Sequence, residues 1–455
     1  MYLRKAFYGA TVNQERLSTC KPLLMLQKKF TPAVLIISIV LLQGCIKDHC
    51  TQTYSYFNPV YKTTEEVRAN IKSNTPQQIE RVGKLYIRGR YIFLNEPDQG
   101  IHIIDNINPA SPNNVAFINI PGNMDMAVKG NTLYADAYTD LITIDITDPL
   151  HVKTTSIIES AFPFRQYYGS FYADTSKVIV DWVKRDTTVN MDCGNGGFFG
   201  VDFDKTQVLM QNDVLALASY SNSGGKSTSS NGASPSPFGA GGSMARFAIA
   251  GNHLYSVTTS DLNVFGIGSP QTPSYIKKIN LGWNIETIYP FQNKLFIGSS
   301  NGMFIYSISN GSNPNYEGQF SHVQSCDPVI ADEKYAYVTL RSGTTCNGFT
   351  NRMDILDISD IQHPSLVKTY SLDNPHGLSK DGDLLFVCDG ASGLRVYNTK
   401  QVNNLKLITT IRGMETYDVI AMNGVALVVT SEGLYQYSYS DVNNIQLLSK
   451  MEITL

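Results

Sequence analysis

One pattern recurs along this chain about every forty residues, and it limits the available folds more than any other feature. Each copy has a Gly, Asn or Asp turn, an apolar strand, a polar turn, a second apolar strand and a turn that often contains Pro. It reads GRYIFLNEPDQGIHIIDNINP from Gly89, GNTLYADAYTDLITIDITDP from Gly130 and GNHLYSVTTSDLNVFGIGSP from Gly251. QNKLFIGSSNGMFIYSISN follows from Gln292, and DEKYAYVTLRSG with RMDILDISDIQHP from Asp332. GDLLFVCDGASGLRVYNTK starts at Gly382, and NGVALVVTSEGLYQYSYSD at Asn423. A damaged copy, TSKVIVDWV, starts at Thr175. The starting positions are separated by 41, 45, 76, 41, 40, 50 and 41 residues.

A period near forty with alternating apolar strands is the signature of four-stranded propeller blades. In the second copy the strands fall at 126–129, 133–137, 141–146 and 153–158. The fourth strand is needed, because a two-stranded unit leaves its hydrophobic face uncovered. Solenoid coils are usually shorter, and two stacked sandwiches do not explain the regularity. The expected fold is all-β, a β-propeller of about eight four-stranded blades, or seven if the copy at Thr175 is too damaged to form one. The 26 Tyr, 35 Gly and 20 Phe against 2 Trp suit that class.

The third element of each copy resembles the LVIVD repeat. It stands here as Ile-His-Ile-Ile-Asp at 101–105, Leu-Ile-Thr-Ile-Asp at 141–145 and Met-Asp-Ile-Leu-Asp at 353–357. Leu-Arg-Val-Tyr-Asn at 394–398 and Leu-Asn-Val-Phe-Gly at 262–266 drift at the last position. The resemblance covers about residues 80–455 and implies a propeller of the kind found in bacterial lipoproteins. It supplies no catalytic residues. Physically, a short carboxylate leaving a strand accepts N–H bonds from the next turn, so the final Asp is expected to be structural.

The N-terminal segment is a different object. Lys28-Lys29 precedes an apolar run over 32–42 and then Gln43-Gly44-Cys45. A basic start, a short apolar core and a small residue at the cut describe a secretory leader. The run is short for a bilayer span. Leu42-Gln43-Gly44-Cys45 resembles a bacterial lipobox, which implies cleavage before Cys45 and acylation of that residue; several acyl chains make a stable anchor. Residues 1–44 are thus expected to be a signal peptide, with Met25 a better start than Met1. Residues 45–80 are expected to be a lipid-anchored tether, with a helix beginning near Thr63-Thr64-Glu65-Glu66. Ile46-Lys47-Asp48 lacks the early Asp of inner-membrane retention, so attachment to the outer membrane is expected, on either its periplasmic or its surface face.

Residues 81–455 form the expected propeller, interrupted by a Gly/Ser-rich insertion at 185–243. Its Ser/Gly/Pro tract cannot bury apolar surface and is expected to project from a b–c or c–d connection.

Five residues before each turn, give or take one, a polar residue stands in an otherwise apolar strand: Lys84, Asp125, Arg246, Glu286, Asp327, His376 and Asp418. Repetition of position brings these into one ring at the mouth of the central channel. Four carboxylates beside two cations and an imidazole suit a cation or a polar ligand. The plainer account is that channel-facing positions are wet and therefore polar. Cys326 and Cys346 belong to one blade and are a disulfide candidate in an exported protein. There is no C-x-x-C and the histidines do not cluster, so no metal site and no cofactor are expected.

The 39 acidic and 36 basic residues give a net charge of −3 without a basic run, which argues against nucleic acid. The glycines of 194–200 lack the strand-to-helix context of a phosphate cradle. G-x-S-x-G, H-E-x-x-H and EF-hand signatures do not occur. The function expected is therefore a binding or scaffolding module at the cell envelope, taking a protein, glycan or small ligand. The alternative is a hydrolase or lyase working at the channel mouth.

Overall fold

The alternation within each repeat becomes the two faces of a blade. A computed structural model describes residues 49–165, 167, 174–192, 209–210, 240–322, 328–342 and 350–453. It has seven blades, each an antiparallel meander of strands a to d, over residues 85–119, 126–158, 247–280, 285–321, 329–371, 378–411 and 416–452. Strands b and c are packed on both faces, so they are almost continuously buried, as in Tyr91–Glu96 and Asp140–Asp145. Strand d lies at the rim and alternates instead; Ser274–Asn280 is mostly exposed. In all seven blades the c–d ladder carries a bulge, for example between Val264 and Phe265. An extra residue there increases the local twist.

The Asp that ends each LVIVD-like strand is structural. Asp145 accepts from the main-chain N–H of Thr147 at 2.8 Å and from its hydroxyl at 2.6 Å. Asp105 and Asp357 accept the corresponding N–H of Ile107 and Ser359.

Neighbouring blades are joined by apolar clusters and by tyrosine hydroxyls. Tyr134 donates to the Pro270 carbonyl and Tyr255 to that of Gly311, both at 2.8 Å. Blade one meets blade seven without exchanging a strand. Leu85, Ile92 and Ile104 pack with Ile420, Leu427 and Val429, and the Asn106 and Gln436 amides bond reciprocally at 2.9 and 2.7 Å.

The eighth copy, at Thr175, is not a blade. It enters Val178–Asp192, a strand that runs straight through the place where a b–c turn would be. Its continuation, KRDTTVNMD, has no Gly-type turn, and its β-branched residues favour extension. Among the described residues, a second compact unit comprises 49–60, 167, 181–192 and 209–210. Its three-stranded sheet has the order Val178–Asp192, His49–Lys62, Leu209–Met210. Residues 49–62 are therefore a strand where a tether was expected. The helix is Thr64–Arg68, with a capping box between Thr63 and Glu66. Lys72–Asn74 then adds to the outer edge of blade one.

The insertion also differs from expectation. It connects strand d of blade two to strand a of blade three, so it belongs to a d–a connection rather than to the b–c or c–d side of a blade. Cys45 and its leader, the tract at 211–239, Asp327, Cys326 and Cys346 lie outside the described residues.

Candidate functional site in the central channel

Of the polar positions counted from the repeat, Arg246 and Glu286 are half-buried and four are shut away from water. Lys84, Asp125, His376 and Asp418 are all buried. For Lys84, Asp125 and Asp418 the cause is the chain itself: the residues before strand a of blade three lie against them. Ala240–Gly241 pairs with Ile87 and Tyr86 on the inner edge of blade one.

Four ring residues gather around this segment. Lys84 Nζ donates to the Met244 carbonyl at 3.3 Å and lies 3.9 Å from Asp125 Oδ2. Asp125 Oδ2 accepts the Arg246 main-chain N–H at 2.6 Å. Asp418 Oδ1 is 3.4 Å from the Ser243 hydroxyl, which accepts the Leu378 N–H at 2.7 Å. Burial disfavours charge on each side. It pushes Asp418 up to about 7, against the Val419 N–H and the Lys84 ammonium. It brings Lys84 down to about 8, against the pull of Asp125.

His376 stands in a second group. Arg341 Nη1 is 3.2 Å from its Nδ1 and 3.4 Å from its Nε2, and the Asn374 amide nitrogen is 3.2 Å from Nε2. The Tyr417 ring meets it edge-on at 5.3 Å. Burial, and then the Arg341 charge, hold the imidazole well below its ordinary pKa, so it is neutral and offers an acceptor to the guanidinium. Glu286 joins this group through its charge, which opposes the burial that lowers Arg341. Among the described residues, the polar positions thus fall into two interacting groups.

Two carboxylates that the positional count did not select, the half-buried Asp136 and the fully buried Asp389, hold the loops carrying these residues. Asp136 accepts the N–H groups of Met124 and Asp125 at 2.7 and 2.9 Å, and burial raises it to about 6. Asp389 accepts those of Asp373 and Asn374 at 2.9 and 2.8 Å and pairs with Arg395 at 2.6 Å. Both stand at the inner end of strand b, where an acid in an apolar run was the available signal. Ser243 carried none, since it closes a tract that reads as linker. At the other end of the excursion, Arg165 bonds Asp98 at 2.5 Å and the Gly122 carbonyl at 2.7 Å and lies over the Tyr138 ring.

The LVIVD repeat model matches residues 122–157 and 325–371, which are essentially blades two and five. The chain therefore carries LVIVD repeats. No curated protein matches it. Among solved structures, a protein from Lactobacillus plantarum is similar at 10% identity and a TM-score of 0.47, over 81% of this chain and 98% of that one. The computationally designed Ika8 protein is similar at 8% identity and 0.46, over 82% and 88%. BamB from Moraxella catarrhalis is similar at 8% and 0.42, over 84% and 87%.

Proposed function

We propose that this chain, a seven-bladed propeller carrying LVIVD repeats, is a binding and scaffolding module held at the bacterial cell envelope by a lipid on Cys45. The observation that supports this reading most directly is the state of the channel ring. Among the described residues, Lys84, Asp125 and Asp418 are buried and engaged with one another or with residues 243–246, and His376 is buried against Arg341 and Asn374. A hydrolase or lyase at the channel mouth would draw on some of Asp125, Glu286, Asp327, His376 and Asp418, and the chain's own residues 243–246 stand against Asp125 and Asp418.

What remains accessible is the loop face. Trp283 is 85% exposed on the connection from blade three to blade four. Gly282 and Asn284 on either side of it have φ of 111° and 54°, so the backbone turns sharply to present the indole. A large amphipathic ring in that position suits a protein or glycan surface. The leader and lipobox support outer-membrane attachment.

Two measurements test the reading. Intact-mass analysis of the membrane fraction should find an acylated Cys45 amino terminus, and Cys45→Ala should release the chain from membranes. A photo-crosslinker at position 283 should capture an envelope component that one at Tyr316 on the rim does not. Equal capture at both, or turnover of a substrate that His376→Ala abolishes, overturns it.

A further inference from the structure

The end of the insertion sits in the channel as a ligand sits in its site. Ala240–Gly241 adds to the inner edge of blade one. The Ser243 hydroxyl bridges the Leu378 N–H of blade six and Asp418 of blade seven. The Met244 carbonyl takes Lys84 of blade one, and the Ala245 carbonyl takes the Ile288 N–H of blade four at 2.7 Å. The segment thus holds blades one, four, six and seven, none of which contains it.

These contacts use main-chain groups and one hydroxyl. At position 242 the site demands small size: a Cβ on Gly242 would collide with the Asp418 carboxylate, and so would one on Gly377 from blade six, whereas two residues on it buries the larger Met244 side chain. Strand-edge recognition of extended peptides works in this way, with main-chain bonds for affinity and side-chain size for fit. The segment also leaves the site incompletely used. Among the described residues no hydrogen-bond partner reaches the buried Asp418 Oδ2 or Arg246 Nε, and a buried polar atom without a partner is costly.

We infer that the channel is a binding site for an extended peptide rich in glycine and serine, and that residues 240–245 occupy it in cis as a displaceable plug. This rests on the binding-module reading and names its partner class. A partner placing a hydroxyl or amide donor on Asp418 Oδ2 makes a bond that the plug does not. Because the plug is tethered, its effective concentration is high, so a competitor in trans binds visibly only in excess or when the plug is expelled.

The test begins with hydrogen exchange on the full chain. Main-chain amides of residues 241–246 should exchange at least about tenfold faster than those of 133–137 and 419–421, and faster still with a large excess of a synthetic peptide of residues 239–246. If they exchange no faster than the blade strands, the segment is permanent core and the inference fails, on a protein that needs no substitution. Gly242→Val should expel the plug, so that the folded variant binds the same peptide, fluorescently labelled, at least about tenfold tighter than the wild type. Adding Asp418→Ala should abolish that gain. A folded Gly242→Val variant with no gain also overturns the inference. Capture at position 283 is measured independently, so either failure leaves the binding-module reading standing or falling on its own result.

Discussion

Lys84 Nζ donates to the main-chain carbonyl of Met244 across 160 residues of sequence. An ammonium removed from water needs oxygen partners, and Lys84 finds them on the plug and on Asp125. One buried cation therefore ties the plug to the inner wall of blade one.

The channel should make stability depend on pH in two opposite senses. Asp418 is raised from 3.8 to about 7 and Lys84 lowered from 10.5 to about 8. The folded state holds the Asp418 proton more tightly than the unfolded chain does. That contribution is complete below about pH 3.8 and is lost as pH rises to about 7. Lys84 is the reverse: the unfolded chain binds its proton more tightly, and the cost to the fold fades from about pH 8 towards 10.5. Urea midpoints should therefore be lowest between about pH 7 and 8. Asp418→Asn should shrink the decline below pH 7 by an amount of order a few kcal/mol, at about 1.4 kcal/mol per unit, leaving the part that Asp136, raised to about 6, contributes. An unchanged decline in that variant would refute the assignment.

His376 should stay neutral through mildly acid conditions. Burial is the larger cause of its depression and Arg341 the smaller, so Arg341→Met should raise its pKa without restoring the ordinary value of about 6.5. The unfolded chain takes this proton more readily, so the contribution to stability is lost as pH falls below about 6.5. NMR titration of the imidazole resonances distinguishes the two causes.

Asp145→Ala should affect the fold and not binding. It removes the acceptor for both Thr147 bonds and for the Gln271 amide at 3.0 Å. Calorimetry should show a thermal midpoint lower by about 1–2 °C, with capture at position 283 unchanged. Lost capture would give the repeat's Asp a ligand role after all.

The seam between blades one and seven should be the sensitive point of ring closure. Ile420→Ala opens a cavity in its apolar cluster and should cost about 2–5 kcal/mol. Gln436→Ala leaves the Asn106 amide without its partner and should cost about 1 kcal/mol. Chemical denaturation of each variant measures both.

Part of the site was legible beforehand. The positional count selects Lys84, Asp125, Arg246, Glu286, His376 and Asp418 because they occupy equivalent places in successive copies of the repeat. It treated them as one ring, whereas His376 and Glu286 group with Arg341 while the others group around residues 242–245. That division depends on which loop crosses the channel. Asp136 and Asp389 were visible as acids in apolar strands, but their task of holding the neighbouring d–a loop lies in contacts 11 to 16 residues away.

What the sequence determined by itself is everything contained within one copy of the repeat. Strand alternation, the turn at each Gly or Asn and the Asp that caps the LVIVD-like strand are local, so forty residues suffice to encode them. Tertiary structure alone decided the number of blades, because a ring closes only where the faces of Ile92 and Ile420 meet. It also decided that the copy at Thr175 joins another sheet, and that residues 240–244 reach Ile87, Lys84, Leu378 and Asp418. Main-chain pairing leaves no hydrophobic period to read, and small side chains fit wherever Lys84, Leu378 and Asp418 happen to converge.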